Sequence, residues 1–344
     1  MFPSNAVGID LGTSSVIIYV KGKGVVLNEP SVVALDRVSG RILEVGEEAR
    51  KMLGRTPGNI VAVRPLRDGV INDYDITEKM LRFFLKKIAG RRFFFKPRVV
   101  VCVPSGVTEL ERRSVVEATL DAGAQSTRLI EEPIAAAVGA GIDILKPYGS
   151  MVVDIGGGTT DIAVISMGKA VLSSSSVIAG DAFDDYIIKY MKKRHNLLIG
   201  ERTAEALKIH LGGATQRPEE LFMEVSGRNV ISGMPKTVNV SSDEVAEALE
   251  EPVNEIMTQI HDVLERTPPE LAADIFENGI VLTGGGALLY NLDAFASYQI
   301  KIPCKVAKEP ITCVARGTGI VLENMDRYGD VIFDYKRSGN YMNV

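Results

Sequence analysis

Residues 151–167 read MVVDIGGGTTDIAVISM: an apolar run ending in Asp154 and Ile155, three glycines, two threonines, Asp161 and a second apolar run. Apolar and β-branched residues on both sides of a glycine centre predict a β-hairpin. Gly156, Gly157 and Gly158 lack a Cβ, so backbone N–H groups there can approach an anion, phosphate above all. Asp154 and Asp161 would repel that phosphate unless a cation lay between them, which points to Mg²⁺ held mostly through water. The bland alternative is a tight glycine turn with solvated acids, and the rest of the chain decides between the two.

The pattern recurs at residues 8–20, GIDLGTSSVIIYV, with Asp10, Leu11, Gly12 and small hydroxyl residues between two strands. Two copies imply two similar lobes. A third glycine turn, residues 280–289 (IVLTGGGALL), follows a short apolar strand and can offer its amides from another side. Three such turns, two of them near-repeats, are hard to explain as loop punctuation.

The chain has 344 residues, 46% hydrophobic and 24% charged, an ordinary globular composition at two-domain length. A net charge of −5 argues against a nucleic-acid protein held by bulk electrostatics. Cys102, Cys304 and Cys313 stand in apolar surroundings without metal spacing, which fits a reducing cytosol. No secretory signal is expected at residues 1–5, and no apolar run reaches bilayer length.

In chain order, short strand-like runs at 24–36 and 41–45 and a helix at 47–53 read as a small insert. A helix is predicted over 76–89, with Asp75 and Glu78 as its capping pair. Residues 98–104 (RVVVCVP) form an apolar strand, and TELE at 108–111 is a capping box opening the next helix. LIEEPIAAAVGA at 129–140 combines two acids, a first-turn proline and small residues suited to close helix packing. Helices follow at 181–196 and 201–211, the second with Glu205 and Lys208 spaced as a surface ion pair. Residues 212–239 look irregular, Ser241 and Glu244 cap a long helix reaching about Arg266, and a small-residue helix spans 312–324. Beyond Tyr328 no pattern is clear.

These elements occur in the order of the actin, sugar-kinase and heat-shock-chaperone ATPase superfamily. Within it the chain resembles the MreB/Mbl family of bacterial actins, on GKGVVLNEPSVVALD, GRTPGNIVAVRPLRDGVI, LIEEPIAAAVGAG, MVVDIGGGTTDIAVISMG, NLLIGERTAEALKI, ERTPPELAADI and GIVLTGGGALL. It departs in reading LGTSSV at the first hairpin, where the family usually has LGTAN, and in carrying Asp161 where many members have Glu.

The resemblance implies an α/β, actin-like ATPase fold: two ribonuclease-H-like lobes around a nucleotide cleft, each with a small insert. Residues 1–32, 66–145 and 318–335 would form the first core and 33–65 its insert. Residues 146–179 and 244–317 would form the second core, 180–243 its insert and 336–344 a tail. By the same resemblance, ATP phosphates fall to Asp10, Gly12, Thr13 and Ser14 from one lobe and to Gly156, Gly157, Gly158 and Thr159 from the other. Glu205, Ala206, Leu207, Lys208, Gly285, Gly286, Ala287 and Leu288 would surround ribose and base. Asp10, Asp154 and Asp161 would order the water around Mg²⁺, and Glu132, preferred to Glu131 on the resemblance alone, would orient the attacking water. Asp154 and Thr159 complete the implied catalytic set, Thr159 sensing the γ-phosphate.

The implied function is a slow ATPase, GTP being the other candidate nucleotide, whose hydrolysis times filament assembly. It would be cytoplasmic and associated with the inner face of the membrane, where paired homopolymers organise cell-wall elongation proteins and set rod shape. A small-molecule (sugar) kinase is the alternative. It would need a catalytic acid and a sugar-sized pocket that no further motif announces. A chaperone ATPase would need a substrate domain after the module, and no GxxxxGK[ST] marks a P-loop. Residues 90–98, GRRFFFKPR, set Phe93, Phe94 and Phe95 among basic residues. Loop anchoring is the bland reading, whereas the family's membrane binding favours an anionic interface.

Overall fold

The computed structural model describes residues 6–90 and 96–334. Phe93, Phe94, Phe95 and the tail 336–344 lie outside the described residues.

Two sheets share one plan. In the first, Gly24–Pro30, Ser15–Val20 and Ala6–Leu11 form an antiparallel meander, and Arg98–Val103 and Ser126–Glu131 continue it in parallel. In the second, Lys169–Ser176, Thr160–Ser166 and Ser150–Ile155 form the meander, and Ile280–Thr283 and Cys304–Val306 the parallel pair. Ala6–Leu11 and Ser150–Ile155 are buried along their whole length, as central strands covered on both faces must be. The two lobes foreseen from the repeated hairpin are therefore two copies of one α/β core. The first sheet gains a further antiparallel strand, Ile332–Asp334, beside Ser126–Glu131. Three residues after an unpatterned stretch gave no periodicity from which to foresee it.

Between the sheets cross two helices, Glu132–Gly139 and Cys313–Glu323. They meet backbone to backbone: a Cβ on Gly139 would stand 1.8 Å from the Cys313 carbonyl oxygen, and one on Gly317 1.8 Å from that of Ala135. Small residues are thus a steric requirement here, and Ala135, Ala136 and Ala137 fill a shared core with Val314, Val100, Ile130, Val152 and Val281.

The capping boxes Thr108/Glu111 and Ser241/Glu244 form as predicted. The helix Tyr74–Ala89 starts two residues earlier than expected, because Asp73, not the Asp75/Glu78 pair, accepts from the Ile76 N–H. A small sheet of Ile42–Val45, Val33–Asp36 and Ile60–Val63 with the helix Glu47–Met52 stands over the first lobe. Over the second stand the helices Gly180–His195 and Glu201–Leu211 and the hairpin Phe222–Asn229/Pro235–Ser241. At 212–239, expected to be irregular with short strand-like pieces, the strand-like pieces are this regular hairpin. Its strands are largely exposed, so few of its residues needed to be apolar.

Candidate functional site

The two repeated hairpins turn in the same way: the Gly12 N–H donates to the Ser15 carbonyl at 3.1 Å and the Gly156 N–H to the Thr159 carbonyl at 2.8 Å. Their tips meet. A Cβ on Gly157 would fall 2.0 Å from Ser14 Oγ, and one on Gly158 2.3 Å from Thr13 Oγ1. Glycines on one lobe make room for hydroxyls on the other, and Thr13 is held by the Gly69 N–H at 2.9 Å. Beneath the tips opens a cleft of about 540 Å³, lined by Gly12, Thr13, Ser14, Gly156, Gly157, Gly158 and Thr159.

Asp10, Asp154 and Glu132 also line the cleft. Asp154 accepts a 2.5 Å hydrogen bond from Thr283, and Asp161, buried behind it, accepts from the Ser105 N–H at 2.9 Å. Burial pushes Asp10 and Asp154 up to about 7 and Asp161 to about 6, the hydrogen bonds only partly opposing it. Burial likewise holds Glu132 well above the ordinary carboxylate range, and Asp161, Asp154 and Asp10 push it further. Among the described residues no lysine or arginine opposes the charges on these four carboxylates. Hard oxygen donors left without a counter-charge suit a divalent cation. Glu131, one residue away, does not line the cleft and stands 4.0 Å from Arg112.

At the far end the wall is Glu205, Lys208, Gly285, Gly286 and Leu288. Leu207 and Ala287, also expected there, belong to the second lobe's core, and Ala206 is not in the wall. The helix and turn that carry them have one face toward the cleft and the other inward. Asp161 too stands behind the wall and not in it. Glu205 and Lys208 are not the surface pair their spacing predicted: Glu205 binds Arg50 at 3.2 Å, and Lys208 binds Asp184 at 2.9 Å and the Gly180 carbonyl at 2.7 Å. Arg50 comes from the helix over the first lobe and closes the mouth of the cleft. Sequence reasoning missed Arg50, Asn28 and Gly180 as wall residues, since nothing local marks a partner 155 residues away. It also placed Cys102 in purely apolar surroundings, whereas its Sγ lies 3.4 Å from Asp10 Oδ1.

The family model described as MreB/Mbl protein matches residues 4–330. The chain is 54% identical to the cell shape-determining protein Mbl of Bacillus cereus over 93% of this chain and 96% of that protein. It is 52% identical to the cell shape-determining protein MreB of Escherichia coli K12, over 96% of each. The crystal structure of MreB5 of Spiroplasma citri bound to AMPPNP superposes with a TM-score of 0.89 at 39% identity, covering 94% of this chain and 97% of that one. Likeness along nearly the whole length, on a fold of two facing glycine hairpins, settles the kinship: the chain belongs to the MreB/Mbl family.

Proposed function

We propose that the chain is an ATP-dependent, filament-forming bacterial actin homologue that sets rod shape by organising cell-wall synthesis at the inner face of the cytoplasmic membrane. The observation that carries this is the meeting of two hairpin tips above four buried carboxylates. The backbone N–H groups of Gly12, Gly157 and Gly158 and the hydroxyls of Thr13, Ser14 and Thr159 hold the phosphates. Glu205, Lys208, Gly285, Gly286 and Leu288 flank ribose and base. The relative from Spiroplasma citri has been crystallised with both AMPPNP and ADP, which supports a nucleotide in this cleft.

Mg²⁺ fits the site: Asp10 and Asp154 would order its water from the cleft wall, with Asp161 behind them. Bound there, it supplies the positive charge that lets carboxylates and phosphates share one cleft. Glu132 orients the attacking water and accepts its proton, a role open to a carboxylate facing the γ-phosphate. Thr159, at the tip of the central hairpin, reports whether the γ-phosphate is there. The domain limits follow the two sheets, with 33–65 and 180–243 as inserts. The filament is a paired homopolymer that meets cell-wall elongation proteins and attaches to lipid through Phe93, Phe94 and Phe95. Each inserted ring contributes roughly 1.5–3 kcal/mol, so a monomer binds weakly and a polymer by avidity.

Electron microscopy of the purified protein with ATP and anionic vesicles tests this reading. Straight paired filaments lying on the vesicles are expected. Monomers that phosphorylate an added sugar would replace it with the kinase reading.

A further inference from the structure

Three adjacent parallel strands of the first sheet end at the floor of the cleft, and each leads to one metal-ligating side chain, Asp10 and Glu132 in the cleft wall and Cys102 buried beneath it. Asp10 stands near the end of Ala6–Leu11, Cys102 near the end of Arg98–Val103, and Glu132 directly after Ser126–Glu131. The register aligns them: Ile9 lies beside Val101, and Ile130 beside Cys102. One donor atom from each, two carboxylate oxygens and a sulfur, lie within 4.8 Å of one another.

The Cys102 Sγ to Asp10 Oδ1 distance is 3.4 Å. A tetrahedral ion with a bond to sulfur of about 2.3 Å and to oxygen of about 2.1 Å places those two ligands roughly 3.6 Å apart. The second lobe supplies the control. Beside Asp154, in the place corresponding to Cys102, stands Thr283, whose hydroxyl donates at 2.5 Å. A thiol is the weaker donor, so Cys102 is the poorer residue for holding a carboxylate and the better one for a soft cation. Among the described residues Glu132 meets the repulsion of Asp161, Asp154 and Asp10 and has no cation or hydrogen-bond donor to displace.

We propose that Asp10, Cys102 and Glu132 form a site for a thiophilic divalent cation of the zinc class, which shares Asp10 with the water-held Mg²⁺ and differs from it in direct bonds to sulfur and to Glu132. Binding forms a metal–sulfur bond and releases to solvent the Cys102 thiol proton, together with the protons that Asp10 and Glu132 carry before they ligate. A cation held here engages Glu132 as a ligand and stalls hydrolysis. The stalling rests on the water-orienting role proposed for Glu132, and the binding does not.

The test titrates the nucleotide-free, Mg²⁺-free full chain with Cd²⁺ and follows the ultraviolet thiolate-to-Cd²⁺ charge-transfer band. The band is expected to saturate at one equivalent in wild type, Cys304→Ser and Cys313→Ser, and to vanish in Cys102→Thr, which copies the second lobe. Circular dichroism checks that the variants fold. Asp10→Asn should keep the band but weaken Cd²⁺ binding by roughly tenfold or more. A band that survives in Cys102→Thr, or none in wild type, overturns the site. Zn²⁺-loaded protein that shows binding yet hydrolyses Mg²⁺–ATP at the uninhibited rate overturns the stalling alone.

Discussion

In the first lobe Asp10 stands beside a thiol, and in the second Asp154 stands beside a hydroxyl. The divergence continues along the chain. The parallel strands of both lobes lead into a Glu-Pro-Ile step and then a crossing helix: Glu132-Pro133-Ile134 in the first, Glu309-Pro310-Ile311 in the second. Glu132 faces Asp10 and Asp154 in the cleft, with Asp161 buried behind the wall. Glu309, at φ +52°, turns outward to Arg316 at 3.0 Å, its side chain 65% exposed. Duplicating a fold therefore did not duplicate its chemistry. On the proposed function, phosphates would be held from two sides, so both hairpins keep their turn, while a single water would need a single acid.

The largest effect is expected where that complementarity is tightest. Gly157→Val should abolish ATP binding, because its side chain would occupy the space of Ser14 and part the two tips. Gly12→Ala tests the other side, where a Cβ would meet the Ser15 carbonyl at 3.0 Å. Overpacking of about 1–3 kcal/mol there would weaken binding roughly 5- to 150-fold. Calorimetry on both variants decides, and equal losses would mean that the tips are not asymmetric in the way described.

The crossing helices come next. Gly317→Ala should lower stability by about 1–3 kcal/mol or more, since the added methyl meets the Ala135 backbone and not a movable side chain. Gly200→Ala, where a Cβ meets nothing within 4 Å, is the matched control. Urea unfolding of the pair with indistinguishable midpoints would break the backbone-to-backbone account.

The buried acids make a smaller, pH-dependent contribution. Folding raises Asp154 from 3.8 to about 7, so the folded state binds more protons than the unfolded one between those values. That contribution is fully present below 3.8 and is lost as the pH rises through about 7. Cation-free Asp154→Asn should accordingly lose less stability than wild type across this window, and Mg²⁺–ADP should flatten the wild-type curve. A steeper fall in the variant would contradict the sign.

Smallest is the tie across the mouth. Arg50 and Glu205 are partly exposed, at 34% and 28% of their side chains, so Arg50→Ala should cost only about 0.2–1 kcal/mol of closure. Nucleotide dissociation followed by stopped flow should be slightly faster in the variant, with the difference fading at high salt. A difference that persists in salt would point to packing in place of charge.

Much of this was legible in the sequence because it rests on local rules. Glycine between β-branched runs, capping boxes and small-residue helices each declare a geometry within about ten residues. The repeat of Asp10-Leu11-Gly12 in Asp154-Ile155-Gly156 declared the duplicated lobe. Pairings across lobes had no such signal: Arg50 with Glu205, Arg64 with Asp181 at 3.6 Å, and Thr13 seated against Gly158 are products of closure. Ala206, Leu207 and Ala287 were assigned by the resemblance as parts of continuous runs, and the helical turn sent Leu207 and Ala287 into the core. The Glu-Pro-Ile repeat was readable but went unnoticed because its two halves face different surroundings.

The central claim is that the two hairpins clamp ATP while Glu132, and not its second-lobe counterpart Glu309, drives the attack of water. Phosphate release and light scattering recorded on one sample after mixing with Mg²⁺–ATP test it directly. Wild type should assemble first and release phosphate afterwards. Glu132→Ala should assemble and persist while releasing phosphate ~10²–10⁴-fold more slowly, with Glu309→Ala behaving as wild type. Phosphate release at the wild-type rate from Glu132→Ala filaments would contradict the account.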